Sequence, residues 1–314
     1  MKLLLGCVTL TLAAGLAGTS QAEEDGVTWK ARDTDSCFVA TKQGKTLGVY
    51  RSTAHPNKPY LEQFFTPAGI QVLLDSPADH VHHHGLMFAV SVDDVSYWEE
   101  SERDGRQTNV ETKGADHGVL SQTLHWIDPQ GHTKLNEQRR IQLSQTDDAT
   151  WLTWQSTLTT PESIDQVVLG GSHYYGLGMR FIRAFDATAT FRFPERSVSE
   201  SVRGSEKLTR ANWVACIGKV DDKPVTAVMF SHPNNVRHPA WCFTMDKPFA
   251  YQSATLNLWK QPLTLKRDAP LELTFGVALL DGDIPVEQIN SLYAQWLKSL
   301  ADSPLNPSLP RSSK

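Results

Sequence analysis

Four of the chain's eleven histidines fall within five positions, in the stretch Asp79-His80-Val81-His82-His83-His84-Gly85. Imidazole gains and loses a proton near neutral pH and is also the commonest metal ligand, so the cluster has two chemical readings, acid–base catalysis and metal binding. In an extended segment alternate side chains share a face, which sets His80, His82 and His84 on one side and Val81 and His83 on the other. The residues after the cluster keep that period. Leu86, Phe88, Val90 and Val92 alternate with Met87, Ala89, Ser91 and Asp93, the pattern of a half-buried strand. A strand entered through four histidines puts titratable groups at the mouth of a cleft. The plainer alternative is a polar strand entry whose histidines are hydrogen-bonded within the fold.

Two further stretches carry candidate groups. Gly170-Gly171-Ser172-His173-Tyr174-Tyr175-Gly176-Leu177-Gly178-Met179-Arg180 combines closely spaced glycines with aromatics, which suggests a bend where something approaches the backbone closely. The glycine spacing is wrong for a dinucleotide fingerprint, and a strand rather than a helix comes next. His173 and Arg180 are ligand-binding candidates here, against the reading of an aromatic sheet corner. Ser231-His232-Pro233-Asn234-Asn235-Val236-Arg237-His238-Pro239 sets two histidines, an arginine and two asparagines in a proline-bounded loop after an apolar strand, a common way to present a site. A rigid loop without function is the alternative. The polar run from Asp93 to Gly118 holds Glu99, Glu100 and Asp104. It reads as a surface excursion that closes over a site, with its carboxylates mostly solvated.

The elements that must position these groups are strands. Val119 to Thr160 reads as three successive long strands, and in the third Leu152, Trp154, Ser156 and Leu158 share one face. Leu271, Leu273, Phe275, Val277 and Leu279 mark another core strand. After Asp283 and Pro285 a helix begins whose apolar stripe is Ile289, Leu292, Tyr293, Trp296 and Leu300. Some fifteen short strands and one C-terminal helix predict an all-β chain, a large antiparallel β-sandwich of the supersandwich kind, as a single domain over residues 23–300. Residues 301–314, with prolines at 304, 307 and 310, are expected to be a disordered tail.

The first 22 residues read as a secretory signal: Lys2, an apolar run from Leu3 to Leu16, then Ser20-Gln21-Ala22. The expected location is therefore periplasmic or secreted. No later segment is apolar enough to span a membrane. A net charge of −5 with scattered Lys and Arg leaves no footprint for nucleic acid or an anionic membrane, and favours a small-molecule or glycan substrate. Cys37, Cys216 and Cys242 allow at most one internal disulfide, which argues against a disulfide scaffold and a Cys-rich zinc site.

Tyr60, Thr66-Pro67-Ala68-Gly69, the Asp79 to Leu86 stretch, Trp98, the Ser231 to Pro239 loop and Asp281-Gly282-Asp283 together resemble the PmoA-like family, from about Lys45 to Leu300. That family is labelled methane oxygenase PmoA and is essentially one of unknown function. The resemblance implies a galactose mutarotase-like β-sandwich and an association with bacteria that degrade polysaccharides. The family motif usually reads Asp-His-x-His-His-Arg-Gly. His80, His82 and His83 match it, whereas His84 stands where arginine is usual.

Three functions are compatible with these residues. The first is an exported carbohydrate-active enzyme, a hydrolase, lyase or epimerase, in which His80, His82 and His83 act as acid or base with His232 or His238. Arg180, Arg237, Asn234 and His173 would bind hydroxyls or a carboxylate, and Tyr60, Trp98 and Tyr174 would complete the substrate contacts. The second is a zinc or copper site of His80, His82 and His238 with an open position. The third is a non-catalytic glycan-binding sandwich using some of the nine tryptophans.

Overall fold

Alternating apolar and polar residues run through most of the long segments, and in the computed structural model these segments pair into antiparallel sheets. The structure describes residues 26–32, 36–53, 57–114 and 117–301, so the leader and the tail lie outside the described residues. A ten-stranded and an eight-stranded sheet face one another, and a four-stranded sheet flanks them. This is the expected β-sandwich. Its main core lies between the sheets and includes Tyr50, Leu86, Phe88, Trp126, Trp154 and Phe275.

The chain ends in the helix Val286–Ala301, which packs Ile289, Leu292, Trp296 and Leu300 on the outer face of the eight-stranded sheet. The stripe is core, as its spacing implied, and Ala301 still belongs to the helix. Cys37, Cys216 and Cys242 are buried on three different strands, and none forms a disulfide.

Four strands run side by side through the middle of the ten-stranded sheet: Leu86–Ala89, Gly176–Arg180, Tyr251–Thr255 and Ala240–Met245. Met179 pairs with Leu86, Arg180 with Tyr251, and Tyr251 with Met245. The histidine cluster, Arg180, Tyr251 and Met245 therefore share one end of the sheet. The other end is marked by the pairs Gly176 with Thr255 and Thr255 with Trp241.

Two local expectations are corrected, and a buried ion pair stands beside them. Leu86–Ala89 is buried on both faces because it lies in the middle of a wide sheet under the second sheet, so it is not half-buried. The polar stretch after Asp93 contains the edge strand Arg106–Gly114, whose outward residues explain its polarity. Glu137 and Arg139, on the long strand Thr133–Gln145, face the core and pair there with Nε 2.8 Å from Oε1. Tyr50 Oη lies 3.0 Å from the same guanidinium.

Candidate functional site

The histidine cluster is wound rather than extended. The His80 amide donates to the Pro77 carbonyl (2.9 Å) and the His83 amide to the His80 carbonyl (3.0 Å), two consecutive turns. Such turns bring residues three apart onto one side. His80 stacks on His83 with ring centres 4.7 Å apart, and His82 meets both edge-on. The expected split of His80, His82 and His84 from His83 is thus overturned: His80, His82 and His83 group together, and His84 turns the other way.

The three grouped imidazoles line a cavity of about 280 Å³. The rest of its wall comes from Tyr174, Phe243, Met245, Phe249 and Tyr251, the last two packed directly on the His80 and His83 rings, and its rim carries Glu99, Arg203 and Glu206. Tyr251 is placed by a glycine. A Cβ on Gly178 would lie 1.8 Å from the Tyr251 hydroxyl and 2.8 Å from the Trp98 ring, so the close approach expected near the paired glycines is made by these two side chains. Trp98 is fully buried and its face is covered by Tyr175, with ring centres 4.9 Å apart. It supports the wall and offers no stacking surface to a ligand.

Burial is the first influence on the cavity histidines. Together with the positive charge of Lys58 it holds His82 down to about 4, and with the neighbouring His82 and His80 it holds His83 down to about 2. Both rings are uncharged at neutral pH. His82 Nδ1 lies 3.2 Å from Glu99 Oε2, and burial followed by the negative charge of Asp104 raises the Glu99 carboxyl above its ordinary range. Glu99 keeps much of the exposure its surroundings in sequence suggested, with its carboxyl turned to His82.

His84 occupies a second, buried network beneath the cluster. Its Nδ1 is 2.6 Å from Asp75 Oδ1 and its Nε2 is 2.9 Å from Glu100 Oε1, and Tyr60 stacks on its ring while its hydroxyl reaches Asp75 Oδ2 at 3.0 Å. The buried Lys58 ammonium closes the network on Glu100 at 2.5 Å. Burial opposes protonation of His84, but hydrogen bonds to the two carboxylates outweigh it and raise its pKa. A bridging cation between carboxylates is the work an arginine would do at this position. Tyr60 therefore acts beneath the cavity and does not line it.

Arg180 is buried with its guanidinium 3.5 Å over the Phe249 ring and Nη2 3.4 Å from Asp79 Oδ2. It stands behind the aromatic wall. His173 bonds Glu206 at 3.0 Å and so buttresses the rim from outside the cavity. Tyr174 lines the cavity.

The second histidine loop does not join the first. Met245, paired with Tyr251, marks the end of the cavity that meets the histidines, whereas His232 and His238 precede Ala240, five strand residues away. At about 3.3 Å per residue that is roughly 16 Å. His232 and His238 thus share no site with His80 and His82, and the set His80, His82 and His238 cannot surround one ion. Among the described residues no group of three or more His, Cys, Asp or Glu side chains is arranged to hold a metal. His232 accepts from the Asn234 amide (3.1 Å), the Asn234 side chain is exposed, and Arg237 donates to the carbonyls of Leu256, Asn257 and Pro262. Asn235, passed over in the sequence, is buried and ties the loop to Thr274 through 2.7 Å bonds in both directions.

Sequence reasoning missed Arg203, Glu206, Phe243, Phe249 and Tyr251. They come from strands and loops far apart in the chain that meet only through sheet order, so no local spacing marked them.

Among solved structures the chain is similar to HI1317, with 10% identity and a TM-score of 0.38 over 81% of this chain and 99% of that one. It is also similar to a galactose mutarotase related enzyme from Lactobacillus acidophilus, with 8% identity and a TM-score of 0.38 over 81% of this chain and 97% of that one. At these values nothing about chemistry rests on either. No curated protein matches. The PmoA label stays an expectation from resemblance, because the description of the matching family names no activity. The chain belongs to the family of unknown function DUF6807, whose model matches residues 38–294.

Proposed function

We propose that the chain is an exported enzyme performing acid–base chemistry on a sugar in the cavity bounded by His80, His82, His83 and Glu99. The observation that carries this reading is the His82–Glu99 contact: a neutral imidazole and a carboxyl with a raised pKa, 3.2 Å apart on the wall of a small aromatic-lined cavity. That separation is within reach of proton transfer. His82 accepts a proton from a substrate hydroxyl or carbon, Glu99 returns one, and His80 and His83 flank the same space. Hydrolysis, elimination and isomerisation all draw on such a pair.

Three features support a sugar as substrate. At about 280 Å³ the cavity is at the small end of ligand sites, which suits a single ring. Tyr174, Phe243, Phe249 and Tyr251 offer apolar faces to C–H groups, and the Arg203 and Glu206 rim offers partners for hydroxyls. Export is supported by the Lys2 to Ala22 sequence.

The test is a panel of aldoses, uronic acids and disaccharides incubated with the protein and followed by proton NMR for anomer exchange, new anomeric signals or vinylic signals. Conversion of at least one sugar is expected, falling about a hundredfold or more in His82→Gln and Glu99→Gln. Turnover that is unchanged in both variants, or no turnover and no line broadening with any sugar, would sink the reading.

A further inference from the structure

Resting on that sugar reading, we propose that Trp259 is the aromatic platform of a second sugar-binding subsite outside the cavity, so that the substrate has at least two rings. Trp259 is 43% exposed and is the one exposed tryptophan among the described residues. An isolated exposed aromatic is ordinary. This one is distinguished by its position and by how it is held.

Its position is one ring away from the cavity. His173 lies 5.8 Å from Trp259, 5.4 Å from Phe243 and 5.1 Å from Tyr174, ring centre to ring centre, and bonds Glu206 at 3.0 Å. Phe243, Tyr174 and Glu206 all line the cavity. A saccharide with one ring in the cavity against Tyr174 and Phe243 and the next leaving past the Glu206 rim would meet the Trp259 face. The Lys260 ammonium stands over one face of the Trp259 ring, 5.3 Å from its centre, and pairs with Glu200 at 2.6 Å, so charged partners for hydroxyls lie at the platform and a sugar stacks on the face they leave open.

The loop that carries it is braced. Arg237 reaches across with three hydrogen bonds, to the carbonyls of Leu256 (2.9 Å), Asn257 (3.3 Å) and Pro262 (3.3 Å), which bracket Trp259. Arg237 adopts φ of +62°, a conformation that non-glycine residues keep only where the surroundings enforce it. The 231–239 loop, which contributes nothing to the cavity, thereby fixes the loop that presents the tryptophan. A preordered aromatic surface binds with less loss of conformational freedom than a mobile one.

The experiment is isothermal titration calorimetry with glucose, galactose and xylose, with their β-1,4-linked dimers and trimers, and with the variants Trp259→Ala, Trp259→Phe and Arg237→Ala, each checked for an unchanged unfolding midpoint. In the wild type at least one dimer is expected to bind ten-fold or more tighter than its monomer. Trp259→Ala should bring that dimer down to the monomer's affinity, Trp259→Phe should keep most of the gain, and Arg237→Ala should lose part of it. A dimer no tighter than its monomer, or a gain that survives Trp259→Ala, overturns the subsite and leaves the cavity reading standing. If no sugar binds at all, the cavity reading falls with it.

Discussion

His82 and Glu99 approach to 3.2 Å, yet the geometry of an ion pair does not carry the charges of one: the imidazole is held down to about 4 and the carboxyl is raised. Both shifts begin with burial beside the cavity, and Lys58 and Asp104 then push the two groups toward their uncharged forms. Above about pH 4 His82 is therefore a neutral base. Nitrogen NMR of the imidazoles should place the His82 transition near 4, and activity should persist well below the ordinary histidine pKa. A transition near 6.5 would contradict the assignment.

His82 and His83 also bear on stability. Each has a lower pKa in the folded chain than in the unfolded one, so the unfolded state takes up protons first as pH falls below about 6.5. Stability should fall from that point toward pH 4, by an amount on the order of a few kcal/mol for the two together. Thermal unfolding of His82→Gln/His83→Gln across this window should show a flatter curve than the wild type.

His84 works in the opposite sense. Its raised pKa means that its contribution is complete below about 6.5 and is lost as pH rises through its folded value. Replacing it with alanine leaves Asp75 and Glu100 without their bridge, at a cost of about 1–3 kcal/mol, since Lys58 still pairs with Glu100 and Tyr60 with Asp75. His84→Arg should retain much more stability than His84→Ala and abolish the alkaline loss, since guanidinium does not titrate there. Equal unfolding midpoints for the two variants would argue against a cationic bridge.

Gly178→Ala should destabilise the chain by about 1–3 kcal/mol, because the new methyl would occupy the place of the Tyr251 hydroxyl. Tyr251→Phe in the same chain should recover part of that loss. Only part is expected, since the Trp98 ring lies 2.8 Å from the same point. Denaturant unfolding of the two single variants and the double variant measures the coupling.

Much of the architecture was legible because burial in a sandwich writes itself as alternation, and Leu271 to Leu279 and the Ile289 to Leu300 stripe fell where their periods indicated. The cluster's own shape was not. A period of two in Leu86 to Val92 was carried backward into residues that Pro77 and the hydrogen bonds at His80 and His83 wind into turns. Composition also misled at Glu100: a charged stretch reads as solvated, but here Lys58 and His84 lie opposite this carboxylate and bury it. The joining of two histidine motifs into one site failed because closeness across a sheet depends on which end of a strand a loop leaves, and neither composition nor spacing records that.

The three buried cysteines, reduced and spread over separate strands, give the fold a built-in readout of its own opening. Burial pushes the Cys242 thiol up to about 12 and Cys216 well above its ordinary value, so neither reacts while the sheets stay closed. A thiol reagent added to the native chain would then label Cys242, next in the chain to the cavity-lining Phe243, and Cys216, in the eight-stranded sheet, at rates set by how often each region opens. Ligand in the cavity should slow the first clock without touching the second.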